Sequence, residues 1–80
     1  MSRINRLEEV FKEKDVYNRD IAKYLNKSEG TISRWVNNHR QPSLEELNKI
    51  AEFLKVDIRE LLYASEWGKS EVEAFEKKSK

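Results

Sequence analysis

Apolar residues recur at three- and four-residue spacing in short segments divided by polar breaks. Ile4, Leu7, Val10 and Phe11, with Arg, Glu and Lys between them, form the single stripe of an amphipathic helix. Beyond Lys14-Asp15, Ile21, Ala22 and Leu25 repeat the spacing. They predict a second helix that starts near Tyr17 or Asn18 and ends near Leu25, a span of about two turns. Ser28 is a cap for a third helix from Glu29 to Asn37, in which Ile32, Trp35 and Val36 supply the apolar positions and Asn37-Asn38 the end. Asn26 to Ser28, about three residues, is all that joins the second and third helices, and so short a turn makes them cross steeply.

Gln41-Pro42 cannot continue a helix, and the run Ser43-Leu44-Glu45-Glu46 is a capping box for a fourth helix with Leu44, Leu47, Ile50, Ala51 and Leu54 inward. Asp57-Ile58-Arg59-Glu60 has the same logic and predicts a fifth, with Ile58, Leu61 and Leu62 as its apolar face. The expected fold class is all-α: one five-helix domain over residues 1–65, without strands or internal repeats, and a tail over 66–80. Ser70 to Glu73 can cap a short tail helix carrying Val72 and Phe75. Disorder, or ordering on a partner, is the other reading, because so few apolar residues bury little surface.

Eighty residues suffice for one core. Charge changes the picture only when it is read by segment. Charged residues make up 39% of the chain, but the formal net charge is +1. Residues 17–43 carry Arg19, Lys23, Lys27, Arg34 and Arg40 against Asp20 and Glu29, a local balance of +3. Residues 44–65 carry three basic and five acidic groups, a balance of −2. The middle third is therefore where a polyanion would be drawn, although a solvated charged face has the same composition.

The third helix concentrates the candidate chemistry. With about 100° between successive residues, Ile32 and Trp35 fall on one side and Glu29, Gly30, Ser33, Arg34 and Asn37 on the other. That outward set holds donors, acceptors and one planar guanidinium, the groups that read base edges in a DNA major groove. Arg34 is the first choice as base reader, because guanidinium can donate two parallel hydrogen bonds to guanine; a surface ion pair is the alternative. Glu29 can accept from the cytosine amine, or simply favour the positive end of the helix. Gly30 costs about 1 kcal/mol relative to Ala in a helix interior, which suggests close backbone approach to a ligand or a first-turn position where the cost is smaller. Trp35 belongs to the core rather than to a stacking platform, and His39 reads as a loop residue.

The stretch Asn18-RDIAKYLNKSEGTISRWVNN-His39, followed by QPSLEELNKIAEFLKVDIRELL, resembles the Cro/cI phage-repressor (XRE-type) helix-turn-helix family. Small Ala22, the Ser28 cap, the Thr-Ile-Ser-Arg-Trp run and Pro-Ser-Leu-Glu before the fourth helix carry the similarity, which extends from about Ile4 to Leu62. The resemblance implies a lambda-repressor-like fold that binds double-stranded DNA and regulates transcription, as a repressor. One short recognition helix reads only a few base pairs, so a symmetric homodimer is expected, with Leu61, Leu62, Trp67, Val72 and Phe75 as the apolar candidates for pairing. It puts Glu29, Gly30 and Arg34 at base-facing positions and Asn37 near a phosphate-contacting backbone. Asn18 stands where the family has a Gln that buttresses the recognition helix and touches phosphate. With it, Arg19, Ser28, Asn38 and Arg40 make up the expected phosphate set. Asn26 and Asn38 replace glycines usual in the turn and at the recognition-helix end, and Asn tolerates the left-handed backbone region better than most residues.

Other function classes find less support. There is no Cys, a single His and two scattered Gly. Thiolate metal sites, a nucleophile-base arrangement and a phosphate-cradling loop are therefore all absent from the sequence, and no enzyme and no cofactor is expected. No apolar run approaches a membrane span or a signal-peptide core, so a cytoplasmic protein without a membrane partner is expected. A protein-interaction module, such as an antitoxin that binds a partner through Trp67 and Phe75 in the tail, is the alternative function.

Overall fold

The computed structural model describes residues 3–67. Four α-helices and a 3-10 turn follow in order: α1 Leu7–Lys14, α2 Asn18–Leu25, α3 Glu29–Val36, α4 Leu44–Leu54 and the turn Ile58–Leu61. The all-helical expectation holds, and extended pairing among the described residues is limited to one antiparallel bridge between Asn5 and Leu62. Residues 68–80, with Val72, Phe75 and the expected tail helix, lie outside the described residues.

Local chemistry fixes the helix ends. The Asn5 side-chain oxygen accepts from the Leu7 N–H at 3.0 Å, which satisfies the first donor of α1. The Ser28 hydroxyl accepts from the Thr31 N–H at 3.1 Å and starts α3. At α4 the capping box is complete: the Glu46 N–H donates to the Ser43 hydroxyl at 3.0 Å, and the Ser43 N–H donates to the Glu46 carboxylate at 2.8 Å. Asp15, Asn26 and Lys55 end α1, α2 and α4 in the left-handed region, with φ of 58°, 58° and 60°. Asn26 therefore does in the turn what glycine would do.

Each element contributes one aliphatic side chain with no exposure at all: Leu7, Ile21, Ile32, Ile50 and Leu61. Around this centre pack Val10, Phe11, Trp35 and Leu54. α2 packs on α3, α4 on α2 and the 3-10 turn, and α1 on α3. The α2–α3 pair is thereby braced from two sides, so the outward face of α3 is held by a packed scaffold.

The sequence expectations need three corrections. The fifth helix is a 3-10 turn of four residues. Glu60 N–H bonds back to Asp57 and Leu62 N–H to Arg59, after which the chain turns extended at Leu62 to pair with Asn5. Ile4 precedes α1 and is 56% exposed, because Asn5 takes the inward place beside it. Leu44, the first residue of α4, is 75% exposed, and Leu62 is also exposed after the chain leaves the turn.

The capping carboxylates predict a stability profile in acid. The Arg59 side chain and N–H both donate to Asp57 and hold its carboxyl at about 2, below the ordinary 3.8. Lys27 lowers Glu46, with help from the Ser43 N–H, and Tyr63 and Arg6 lower Glu9. A depressed carboxyl contributes stability that is complete above its unfolded value and is lost as pH falls through its folded value. Thermal melts should therefore show Tm falling as pH drops from about 4 to about 2, with a shallower fall in Asp57→Asn. Parallel profiles for parent and variant would remove Asp57 from this account.

Candidate nucleic-acid interface

Eight residues of α3 divide cleanly by burial. Ile32, Trp35 and Val36 face the core, with Trp35 5% exposed. Glu29, Gly30, Arg34 and the capping Asn37 are exposed, and Ser33 is half-buried between them. All five expected base-facing residues thus share one outward side. Asn37 Nδ2 donates to the Ser33 hydroxyl at 3.4 Å, so these two side chains lie together along it. Among the described residues Arg34 and Arg40 hold no ion pair, unlike Arg3, Arg6 and Arg59. The guanidinium of Arg34 is therefore free to meet a ligand without first breaking a salt bridge.

The expected phosphate set is distributed differently. Asn18 opens α2 and lines a shallow cleft of about 280 Å³ with Arg19, Tyr17, Phe11, Glu29 and Val36. The cleft is bounded by α1 through Glu8 and Lys12, by the first residues of α2 and by both ends of α3, Glu29 and Val36. Arg19 stands over the Tyr17 ring, 4.8 Å from its centroid, in a cation–π contact that restricts the guanidinium at the lip of the cleft. Ser28 is exposed, but its hydroxyl already accepts from Thr31 N–H and shares a further contact with the Thr31 hydroxyl at 3.0 Å. Arg40 lies exposed beyond the end of α3, its N–H bonded to the Arg34 carbonyl.

Asn38 requires a correction. Its backbone is left-handed, with φ of 61°, as expected at a glycine position. Its side chain, however, is buried and turned inward. Nδ2 donates to the Asn5 carbonyl at 3.1 Å, and Oδ1 accepts from the N–H groups of Ile4 and Asn5 and from Gln41 Nε2. A side chain so engaged has no group left for a phosphate, so its role is structural.

Charge on this face is also less than the sequence sum suggests. Lys27, in the turn between α2 and α3, bonds Glu46 of α4 at 2.9 Å. That contact ties the turn to the capping box and neutralises one of the cations. Arg19, Lys23, Arg34 and Arg40 remain exposed and hold no ion pair among the described residues.

The helix-turn-helix family model matches residues 7–61. The chain belongs to that family, in its Cro/cI (XRE) form. Among solved structures it is similar to a Bacteroides fragilis protein described as a candidate DNA-binding protein. The two are 50% identical over 75% of this chain and 97% of the other, with a TM-score of 0.74. A transcriptional regulator from Listeria innocua shares the fold at 23% identity and TM-score 0.68, over 98% of this chain and 78% of its own. Comparison with curated proteins gives no match.

In this helix-turn-helix protein several residues around the end of α3 had no signal in the sequence. Asn5 is fully buried against the end of α3, and Arg3 Nη2 donates to the Val36 carbonyl at 2.8 Å. Tyr17 and Gln41 act on neighbours rather than through a motif of their own. Only the left-handed Asn38, at a position where the family has glycine, hinted that something else was being built there.

Proposed function

We propose that this protein is a sequence-specific transcription regulator that inserts α3 into the DNA major groove and represses by occupying its operator as a symmetric dimer. The observation that carries the reading is the outward side of α3, where Glu29, Gly30, Ser33, Arg34 and Asn37 stand together on a helix whose other side is core. Membership of a helix-turn-helix family of DNA-binding regulators supports it. Asn18, Arg19, Ser28 and Arg40 flank that side and are assigned to the phosphates. Repression follows from simple occupancy, since a bound domain blocks a promoter without further contacts.

An eight-residue helix reads few base pairs, and two of them about 34 to 36 Å apart reach successive major grooves on one face of the duplex. The pairing surface proposed for the dimer is the apolar groove lined by Leu44, Glu45, Asn48 and Ile58. Leu61, a pairing candidate by sequence, is fully buried and leaves that list, whereas Leu62 and Trp67 stay exposed. Val72 and Phe75 lie outside the described residues. Selection of bound sites from random duplex, followed by footprinting, tests the reading: a two-fold symmetric consensus is expected. Enrichment of no sequence would sink specificity, and an asymmetric single half-site at saturation would sink the dimer.

Gly30 gives an independent check. A Cβ placed on it would lie 3.8 Å from Ser28 Oγ and 4.0 Å from Arg34 Nη1, which is ordinary contact. Nothing among the described residues therefore demands glycine, and Gly30→Ala should stabilise the free domain by up to about 1 kcal/mol. If the backbone approaches DNA at this point, the same substitution weakens binding to the selected site. A higher Tm with lower affinity is the expected pair of results, and unchanged affinity would place Gly30 away from the duplex.

A further inference from the structure

The C-terminal end of α3 is finished by residues thirty or more positions away. Its last carbonyls are those of Ser33, Arg34, Trp35 and Val36. The first two accept from the local N–H groups of Asn37, His39 and Arg40. The Trp35 carbonyl accepts from Asn5 Nδ2 at 2.9 Å as well as from the Asn38 N–H, and the Val36 carbonyl accepts only from Arg3 Nη2 among the described residues. Segment 3–5 thus supplies side-chain donors where a helix end has none of its own.

The same segment grips the loop beyond the helix. Asn5 and Asn38 exchange hydrogen bonds reciprocally, each side chain meeting the other's backbone or side chain. Gln41 closes the set: its Oε1 accepts from Asn5 Nδ2 at 2.8 Å and its Nε2 donates to Asn38 Oδ1 at 3.1 Å. Asn5 is 0% and Asn38 6% exposed, and no buried side-chain polar atom among the described residues lacks a partner. On its other edge the segment is held by Arg6 N–H to the Leu61 carbonyl and Tyr63 N–H to the Ile4 carbonyl. It is a strap, anchored to the core on one side and to the reading helix on the other.

We infer that Asn5 and Gln41 are positioning residues for DNA binding, acting through Asn38 to fix the 37–41 loop that presents Asn37 and Arg40 to the duplex. The inference rests on the DNA-binding reading above and adds residues that make the site rigid without touching the ligand. A fully satisfied buried polar network specifies one backbone arrangement, because any alternative leaves buried donors and acceptors unpaired. The loop it specifies begins at the reading side of α3. Freeing that loop would require DNA binding to order it again, which lowers affinity without removing any contact.

Asn5 cannot touch DNA, so its substitution separates positioning from contact. In Asn5→Ser the hydroxyl can still accept from the Leu7 N–H, but the donors to Trp35 and Gln41 are gone. Gln41→Met keeps side-chain length at an exposed position and serves if Asn5→Ser does not fold. Both are to be measured well below their Tm, by titration with the selected duplex and with random duplex and by amide exchange of His39 and Arg40 in the free protein. Expected are a loss of affinity for both duplexes of about 3- to 30-fold and faster exchange of those two amides. A folded variant that binds like the parent, or whose two amides exchange at the parent's rate, overturns the inference. Failure of the parent itself to bind any duplex overturns the DNA reading and this inference with it, so the two failures are told apart by the parent alone.

Discussion

Trp35→Ala is expected to melt far below the parent, and to be unfolded at room temperature only if the domain's stability lies at the low end of the range for its length. Trp35 is 5% exposed, and it lies on the inner side of α3 with Ile32 and Val36. Its ring is a large part of the apolar surface that holds α3 in place. Replacing a buried Trp by Ala costs about 3 to 5 kcal/mol, against a total stability of about 4 to 12 kcal/mol for a chain of this length. In a small domain each kcal/mol moves Tm by about 4 to 8 °C, so the loss is roughly 12 to 40 °C. Trp67 provides an internal control, since it is 75% exposed and its replacement by Ala should leave the melt unchanged. Far-ultraviolet melts of the two variants decide the matter. A Trp35→Ala melt that overlays the parent would show that the ring does not pack as described.

Elements whose ends are written locally were legible in the sequence. Ser28 three residues before Thr31, and Ser43 three before Glu46, announce α3 and α4 through side-chain-to-backbone bonds that need no distant partner. The short turn around Asn26 was readable for the same reason, because a residue that accepts a left-handed backbone marks it. Asp57 also caps, through its bond to the Arg59 N–H, but a cap specifies a start and not a length. The chain leaves the 3-10 turn at Leu62 because a partner strand residue, Asn5, waits there, and no local pattern encodes that pairing.

Asn5 itself illustrates the limit. A periodic reading counts Ile4 as the inward residue and passes over the Asn beside it. The structure reverses this, with Asn5 fully buried and Ile4 half exposed, because the end of α3 offers carbonyl groups that only a donor can satisfy. The cost of leaving those groups unpaired outweighs the gain from burying one more aliphatic side chain. The exposed side of α3 was readable from helix geometry alone, whereas the network that fixes its far end depends on side chains brought together from residues 5, 38 and 41.

Arg34 and Arg40 should separate when each is replaced by Ala. Arg34 stands on the outward side of α3, within reach of Gly30 and free of any ion pair among the described residues. Arg40 lies past the helix end, its N–H held by the Arg34 carbonyl, in the loop that would follow the DNA backbone. Base contacts carry sequence information and phosphate contacts do not. Arg34→Ala is therefore expected to cost about 1 to 3 kcal/mol on the selected site and to flatten preference at one base pair per half-site. Arg40→Ala should weaken selected and random duplex alike, and should reduce the slope of log affinity against log salt by about one unit per protomer. Neither substitution removes a core contact, so both proteins should melt close to the parent, and a change in binding is then a change at the interface. Titrations against the selected site, its point variants and random duplex at several salt concentrations distinguish the two roles. Were Arg34→Ala to lower affinity for every duplex equally while Arg40→Ala altered base preference, the reading side of α3 would have to be reassigned to the loop.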